Sequence, residues 1–516
     1  MLSALIAASI LSSPAHARPP CRTPELRAFG FKTSAVGEDA RPEAAGYVDS
    51  EIYPIRVHYR KDADAERAAS VILPAAEHAW MIQVEEMGWP AYAGDYEVGG
   101  NDSVDFYLTN EDTYGGAWTW GPRVDMIEGD GFYSIPAFIA LDDDERYLDD
   151  ETIPTFIEHE FNHVLQYGID GVEATSFVWE STAEAMEELT LPDSNLYWND
   201  VPDFQKLPFA SLLFDGYSSE IEAYDSYSLY EYGGSIAGLY LEQAYGDSDG
   251  KTLLQLWLNL AQGESSAEPD YVDALGLMGG DEAPTVGDVY LGLAEWRMFA
   301  GEDDDGAHFN EASDWGRRSP VATEGELSLA TLRGSSVSPE DEPYDLGTSY
   351  WSIAVDADTD APLKLSLTGE GEVAWGIVAA VWQASGPARV LRARGEDGEP
   401  VEAELDLSGA TKIMVGVANL GVADLNAEGR HSRLGFTLSF SDVDPADDTG
   451  GDDTGGAADD TGGGDDSGAT EDTSDTDGPK DEDPGGCACG TPGAPTAAGG
   501  WGALALAALL SRRRRA

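Results

Sequence analysis

The chain has 516 residues, 42% of them hydrophobic and 10% aromatic, enough for two or three domains with real cores. Its net charge is −68, from 97 Asp and Glu against 29 Lys and Arg. A field of that sign repels nucleic acid and anionic membranes and suits cationic partners or Ca²⁺. The three cysteines, Cys21, Cys487 and Cys489, lie outside both regions read below as folded, so no disulfide is expected in either core.

Residues 1–17 combine an apolar run with Ala15-His16-Ala17, the pattern of an export signal cleaved after Ala17. Residues 18–45 are rich in Pro, Arg and Ala without a clear period and read as a leader or propeptide. Ile55–Tyr59 alternates as a strand does, with His58 read as structural. Residues 64–88 place apolar side chains at helical spacing, and Pro74 should kink that helix or mark its start. Val104–Leu108 and Phe138–Leu141 read as further strands. Between them the Gly- and aromatic-rich stretch Tyr114–Trp120 is either a strand along a cleft, open to an extended peptide, or an ordinary loop. The acids Asp142–Glu145 and Asp149–Glu151 favour the start of the next helix. They could also bind Ca²⁺, but EF-hand spacing is absent.

Next comes Glu158-His159-Glu160-Phe161-Asn162-His163. Two His four residues apart lie one turn apart on one helix face, where a single Zn²⁺ can take both. Glu160 then stands beside the open metal position, where a carboxylate can take a proton from a bound water as general base. Pro154 suits the first helical turn and Gly168 a stop, so the helix is expected over about 153–167.

A catalytic zinc site needs a third protein ligand. Phe177–Glu188 is helical by propensity and carries Glu180 and Glu184 on one face. The motif together with Trp179-Glu180-Ser181-Thr182-Ala183 resembles the gluzincin metallopeptidases. It is also similar to exported bacterial proteins with His-Glu-x-x-His-x-x-Gln followed by Trp-Glu-x-x-Ala. The resemblance implies Glu180 as third ligand and Glu184 as the carboxylate orienting a zinc histidine. The gap from His163 is short for the family, and Glu184 stands as the alternative ligand. A donor on a later helix is expected to stabilise the oxyanion. Tyr232 is chosen and Tyr230 is second, with packing at a helix entry as the competing reading.

Residues 189–310 read mainly as helices, including Leu253–Leu260 and Val289–Phe299. The polar stretch 301–320 reads as a boundary. Short alternating runs over 321–441 then read as an antiparallel β-sandwich. Residues 442–486 repeat Asp-Asp-Thr-Gly-Gly and read as a disordered linker. Residues 487–516 place a Cys motif, an apolar run at 501–510 and Arg512–Arg515 in that order. This tail resembles the MYXO-CTERM sorting signal of myxobacterial proteins, which implies a transmembrane segment, C-terminal processing and delivery to the cell surface.

The expected fold is therefore an α+β zincin-like catalytic domain over 46–310, a small mixed sheet plus a helical half, followed by an all-β sandwich. The expected function is an exported, monomeric zinc endopeptidase. Its partners would be a protein or peptide substrate and the sorting machinery, with no nucleic acid. The alternative is a surface adhesin with a structural or vestigial zinc site. A metal-dependent hydrolase of a non-peptide substrate is a third reading.

Overall fold

The computed structural model describes residues 41–443, except 93, 96, 111–115, 122–133, 147, 172, 174, 226–227, 262–269, 279–284, 318, 358, 360 and 422–432. The expected signal peptide, most of the leader, the acidic linker and the C-terminal sorting signal lie outside the described residues. The described residues belong to one compact unit that ends at Asp447. They form a mixed α and β structure with three sheets and a helical layer.

The first sheet contains β1 (Gly46–Asp49), β2 (Ile55–Tyr59), β3 (Val104–Thr109), β4 (Ala117–Trp120) and β5 (Phe138–Asp142), in the order β1-β2-β3-β5-β4. β2, β3 and β5 run parallel, and β1 and β4 close the two edges antiparallel. β3 and β5 are buried along their whole length, as strands in the middle of a covered parallel sheet are. His58 pairs with buried Asp105 at 2.8 Å and stacks on Tyr107, a structural role as expected. Arg41 also reaches Asp95 and Asp105, so the end of the expected leader is tied to this sheet.

The helical run after β2 is not uniform. The α-helix α1 (Leu73–Ala79) is flanked by π-helical turns over Ala68–Ile72 and Trp80–Glu86. Pro74 sits in the first turn of α1, where its missing N–H costs little, so it starts a segment rather than breaking one. Helix α2 (Ile153–Asp170) follows β5 and is buried at nearly every position. It passes through Gly168, the expected stop, and ends at Gly171. Glycine lowers helix propensity by only about 1 kcal/mol, and packing on all sides of α2 outweighs it.

The layer also includes α3 (Ser176–Thr190), α4 (Tyr230–Gly233), α5 (Ser235–Tyr245), α6 (Lys251–Leu260) and α7 (Val286–Trp296), besides shorter helices. Two close approaches explain the glycines at α4. A Cβ on Gly233 would meet the Asp200 carbonyl at 2.3 Å, and one on Gly234 would meet the Phe177 ring at 2.5 Å.

The C-terminal part is two facing sheets. One has β6 (Gly325–Ser328), β8 (Gly347–Ala354), β10 (Trp375–Gln383), β11 (Arg389–Arg394) and β13 (Ala410–Asn419), in the order β11-β10-β13-β8-β6. The other has β7 (Ser336–Val337), β9 (Leu363–Gly369), β12 (Val401–Leu405) and β14 (Phe436–Asp442), in the order β12-β9-β14-β7. Pairing is antiparallel except between β6 and β8. In the larger sheet, Trp351, Ile377, Val415 and Val417 face the smaller sheet. The alternate residues Tyr350, Val378, Ala380 and Met414 join the core shared with the helices. Phe309, Ala312 and Trp315 carry residues 301–320 into that same core. The helices thus share one core with the first sheet and the larger C-terminal sheet, and the two C-terminal sheets share another. No helix among the described residues is long and apolar enough to cross a membrane, and the apolar run at 501–510 lies outside them.

Candidate metal centre

Helices α2 and α3 pack side by side and present the motif residues to each other. The Nε2 atoms of His159 and His163 are 3.1 Å apart. Glu180 places one oxygen 3.3 Å from His159 Nε2 and the other 3.4 Å from His163 Nε2. All three side chains are fully buried. Ligand atoms in a tetrahedral zinc site stand roughly 3.3 Å from one another, close to the separation of the two Nε2 atoms, and Glu180 offers a different oxygen to each imidazole. Burial pushes the Glu180 carboxyl up, but the His163 and His159 imidazoles outweigh it and hold it at about 2. The trio could hold a metal ion, and the donor set of two imidazoles and a carboxylate suits Zn²⁺.

A second buried group is His159 with Glu184 and Glu187. It uses the other ring nitrogen. His159 Nδ1 is 3.0 Å from Glu187 Oε1 and 3.3 Å from Glu184 Oε2. A neutral imidazole has one lone pair, so His159 serves only one of the two groups. Glu184 and Glu187 both face Nδ1, so a proton placed there would leave the Nε2 lone pair for a metal shared with His163 and Glu180. Glu184 therefore lies where a carboxylate would orient His159, and Glu180 lies among the ligand atoms. Glu187 shares the role of Glu184 but was not singled out from the sequence, although it too lies near one turn from Glu184 on α3.

Glu160 is fully buried on the same helix. One oxygen, Oε2, is 2.7 Å from the Thr119 hydroxyl on edge strand β4, and Oε1 has no hydrogen-bond partner. A buried carboxylate oxygen without a donor is costly unless a ligand or solvent completes it. Of the stretch Tyr114–Trp120, residues 114–115 lie outside the described residues and Ala117–Trp120 is a strand, last in its sheet and beside Glu160.

Tyr232 lies on α4 with its ring 6.1 Å from that of His159 and nearly parallel to it, at 12°. Tyr230, the second choice, donates to the carbonyl oxygens of Ala210 and Ser211 at 3.2 and 3.1 Å and is a core residue. Between them Glu231 is buried and accepts from the Gly216 N–H at 2.6 Å. Burial, reinforced by Asp215 and Glu180, pushes its carboxyl well above the usual range.

Four of the acids weighed as a Ca²⁺ site have protein partners. Asp143 pairs with Arg60 and Lys61, Asp144 with Arg146, and Asp150 with Arg67. Asp149 accepts from the Thr152 N–H at 3.0 Å, just ahead of α2. They form no metal-binding group among the described residues.

No protein-family model matches the chain, and no curated protein matches it. Weak similarities to solved structures exist. The pre-peptidase C-terminal domain of a Bacillus anthracis collagenase matches at 10% identity and a TM-score of 0.17, over 23% of this chain and 97% of that one. PirA matches at 16% identity and a TM-score of 0.16, over 20% and 92%. CorA, a surface-associated copper-binding protein of Methylomicrobium album BG8, matches at 8% identity and a TM-score of 0.17, over 24% and 100%. Likeness at this level bears on neither fold nor activity here.

Proposed function

We propose that the chain is an exported zinc metallopeptidase of gluzincin type, with a zincin-like catalytic half and a β-sandwich partner, acting as an endopeptidase. The observation that carries this reading is the convergence of His159 Nε2, His163 Nε2 and Glu180 in a buried cluster beside a Glu160 oxygen that lacks a partner. A closed structural zinc site would add a fourth protein ligand and needs no adjacent base.

Zinc at this trio would acidify a bound water and polarise a peptide carbonyl. His159, His163 and Glu180 would hold the metal. Glu184 and Glu187 orient the His159 ring from behind. Glu160 would take the proton of the attacking water at Oε1 and deliver it to the leaving amine as the C–N bond breaks, while Thr119 fixes Oε2. Tyr232 is the proposed donor to the developing oxyanion. Strand β4, last in the order of its sheet and tied to Glu160 through Thr119, is the proposed edge along which an extended peptide would lie. The segments proposed for export, surface sorting and processing are 1–17 and 487–516.

Metal removal tests this reading. A chelator should abolish hydrolysis of an unfolded protein by the zinc-loaded chain, and added zinc should restore it. Full zinc occupancy with no hydrolysis of any peptide would favour the surface-adhesin reading instead.

A further inference from the structure

Helix α2 carries a stripe of buried polar residues that the proposed chemistry leaves unused. Glu158, Asn162 and Gln166 lie four residues apart on one face, and Gln83 from the π-helical turn Trp80–Glu86 lies against them. All four are buried. Apolar side chains would fill such a place at lower cost unless every polar group is satisfied.

The bonds run in one direction. Gln83 Nε2 is 2.9 Å from Glu158 Oε2 and 2.9 Å from the Glu158 carbonyl, both acceptors only. Gln83 must therefore present its amide nitrogen to Glu158 and its oxygen to Asn162, whose Nδ2 is 3.0 Å away. Asn162 then turns its oxygen to Gln166, whose Nε2 is 2.7 Å away. Gln166 is left with its oxygen facing His163 Nδ1 at 2.7 Å. A second set of bonds forces the same answer. Thr182 gives its proton to the Val178 carbonyl at 2.6 Å. Its oxygen accepts the Trp257 indole N–H at 3.0 Å, and so it can only accept from Gln166 Nε2, also at 3.0 Å.

We propose that Gln166 is a positioning residue that holds His163 in the Nδ1–H tautomer, its own orientation being dictated by the row of bonds ending on Glu158 and by Thr182. This deepens the proposed metal centre and rests on it only in naming His163 a ligand. Fixing the proton on Nδ1 keeps the Nε2 lone pair aimed at His159 and Glu180. Outer-sphere partners of this kind change metal affinity about 10–100-fold when removed. The two histidines are held by different means, His163 by an amide and His159 by carboxylates, so they respond separately to mutation.

The test uses the full chain labelled with ¹⁵N at histidine. Ring nitrogen shifts of the metal-free protein report each tautomer, and competition with a zinc chelator reports affinity. The expected result has three parts. His163 shows the Nδ1–H pattern in the unmutated protein. Gln166→Leu changes that pattern and weakens zinc binding about 10–100-fold, with His159 unmoved. Gln166→Glu, which keeps an acceptor at Nδ1, restores the pattern. If Gln166→Leu does not fold, Gln166→Met, a side chain of similar length without the acceptor, should give the same change of pattern at His163. An Nε2–H pattern at His163, or unchanged tautomer and affinity in Gln166→Leu, would overturn the proposal. Absence of zinc binding in the unmutated protein, with the tautomer behaving as stated, would sustain the Gln166 proposal and remove the metal-centre reading.

Discussion

The Thr119 hydroxyl lies 2.7 Å from Glu160 Oε2 and 2.9 Å from the Glu160 carbonyl oxygen. This ties edge strand β4 to helix α2 at the residue proposed as general base. One carboxylate oxygen is anchored and the other is left for chemistry. Thr119→Val should lower kcat by about 10–100-fold, with KM and zinc content little changed, since misplacing a base costs rate rather than binding. Thr119→Ser should recover most of the loss. Steady-state kinetics with zinc analysis on the same samples checks this, and a kcat equal to that of the unmutated protein would rule it out.

Glu180 and the pair Glu184 and Glu187 should behave differently toward metal. Glu180→Gln removes a ligand charge at the point where both Nε2 atoms converge, so bound zinc should be lost on dialysis. Glu184→Gln and Glu187→Gln each leave one carboxylate on His159 Nδ1. Each should weaken binding by about 10-fold or less, and the double change by more than the product of the two. Zinc retained by Glu180→Gln but lost from Glu184→Gln would exchange their roles.

Glu188 gives a pH dependence that is separate from the metal. Burial, then the neighbouring Glu311 and Asp193, push its carboxyl up to about 8. In the unfolded chain it titrates near the ordinary value, roughly 4.3. The native state therefore holds this proton more tightly than the unfolded state does. The resulting stabilisation is complete below the unfolded value and is lost as pH rises through about 8. Glu188→Gln keeps a neutral side chain throughout. Its urea midpoint relative to the unmutated protein should rise as pH is taken from about 5 to about 8, and a difference that stays constant would contradict the assignment.

The joint core makes Gly416 on β13 sensitive. A Cβ there would come within 2.8 Å of the Tyr350 ring and 2.9 Å of Val378. Tyr350 is fully buried and donates to the Ala294 carbonyl of α7 at 2.8 Å, so it has little room to give. Gly416→Ala should destabilise the protein by about 1–3 kcal/mol through overpacking. Denaturant unfolding followed by both helical and sheet signals should show one shared shift, because helices and sheet share that core.

Local spacing made the motif legible. His159, Glu160 and His163 sit within five residues, and Glu180 and Glu184 within one helical turn, so each set could be read without knowing the fold. The strand Ile55–Tyr59 was equally plain because its neighbours break the alternation. What escaped depends on distant partners. Gln83 and Thr119 meet α2 from 75 and 41 residues away, and nothing in their own surroundings marks them. β12 hides because only its end residues are buried. β10 lacks a clear alternation because Trp375–Val381 is buried on both faces. The boundary read at 301–320 rests on its acids, while Phe309 and Trp315 decide its packing.

The most direct measurement is hydrolysis of casein or a peptide library by the zinc-loaded protein beside its Glu160→Gln counterpart, with zinc content determined for both. Glu160→Gln keeps the shape of the side chain and the three metal ligands but removes the proton acceptor. Cleavage by the unmutated protein that falls by at least about 100-fold in the variant, at equal zinc content, is the expected result. Equal cleavage by both, or none by either with zinc bound, would contradict a Glu160-based peptidase.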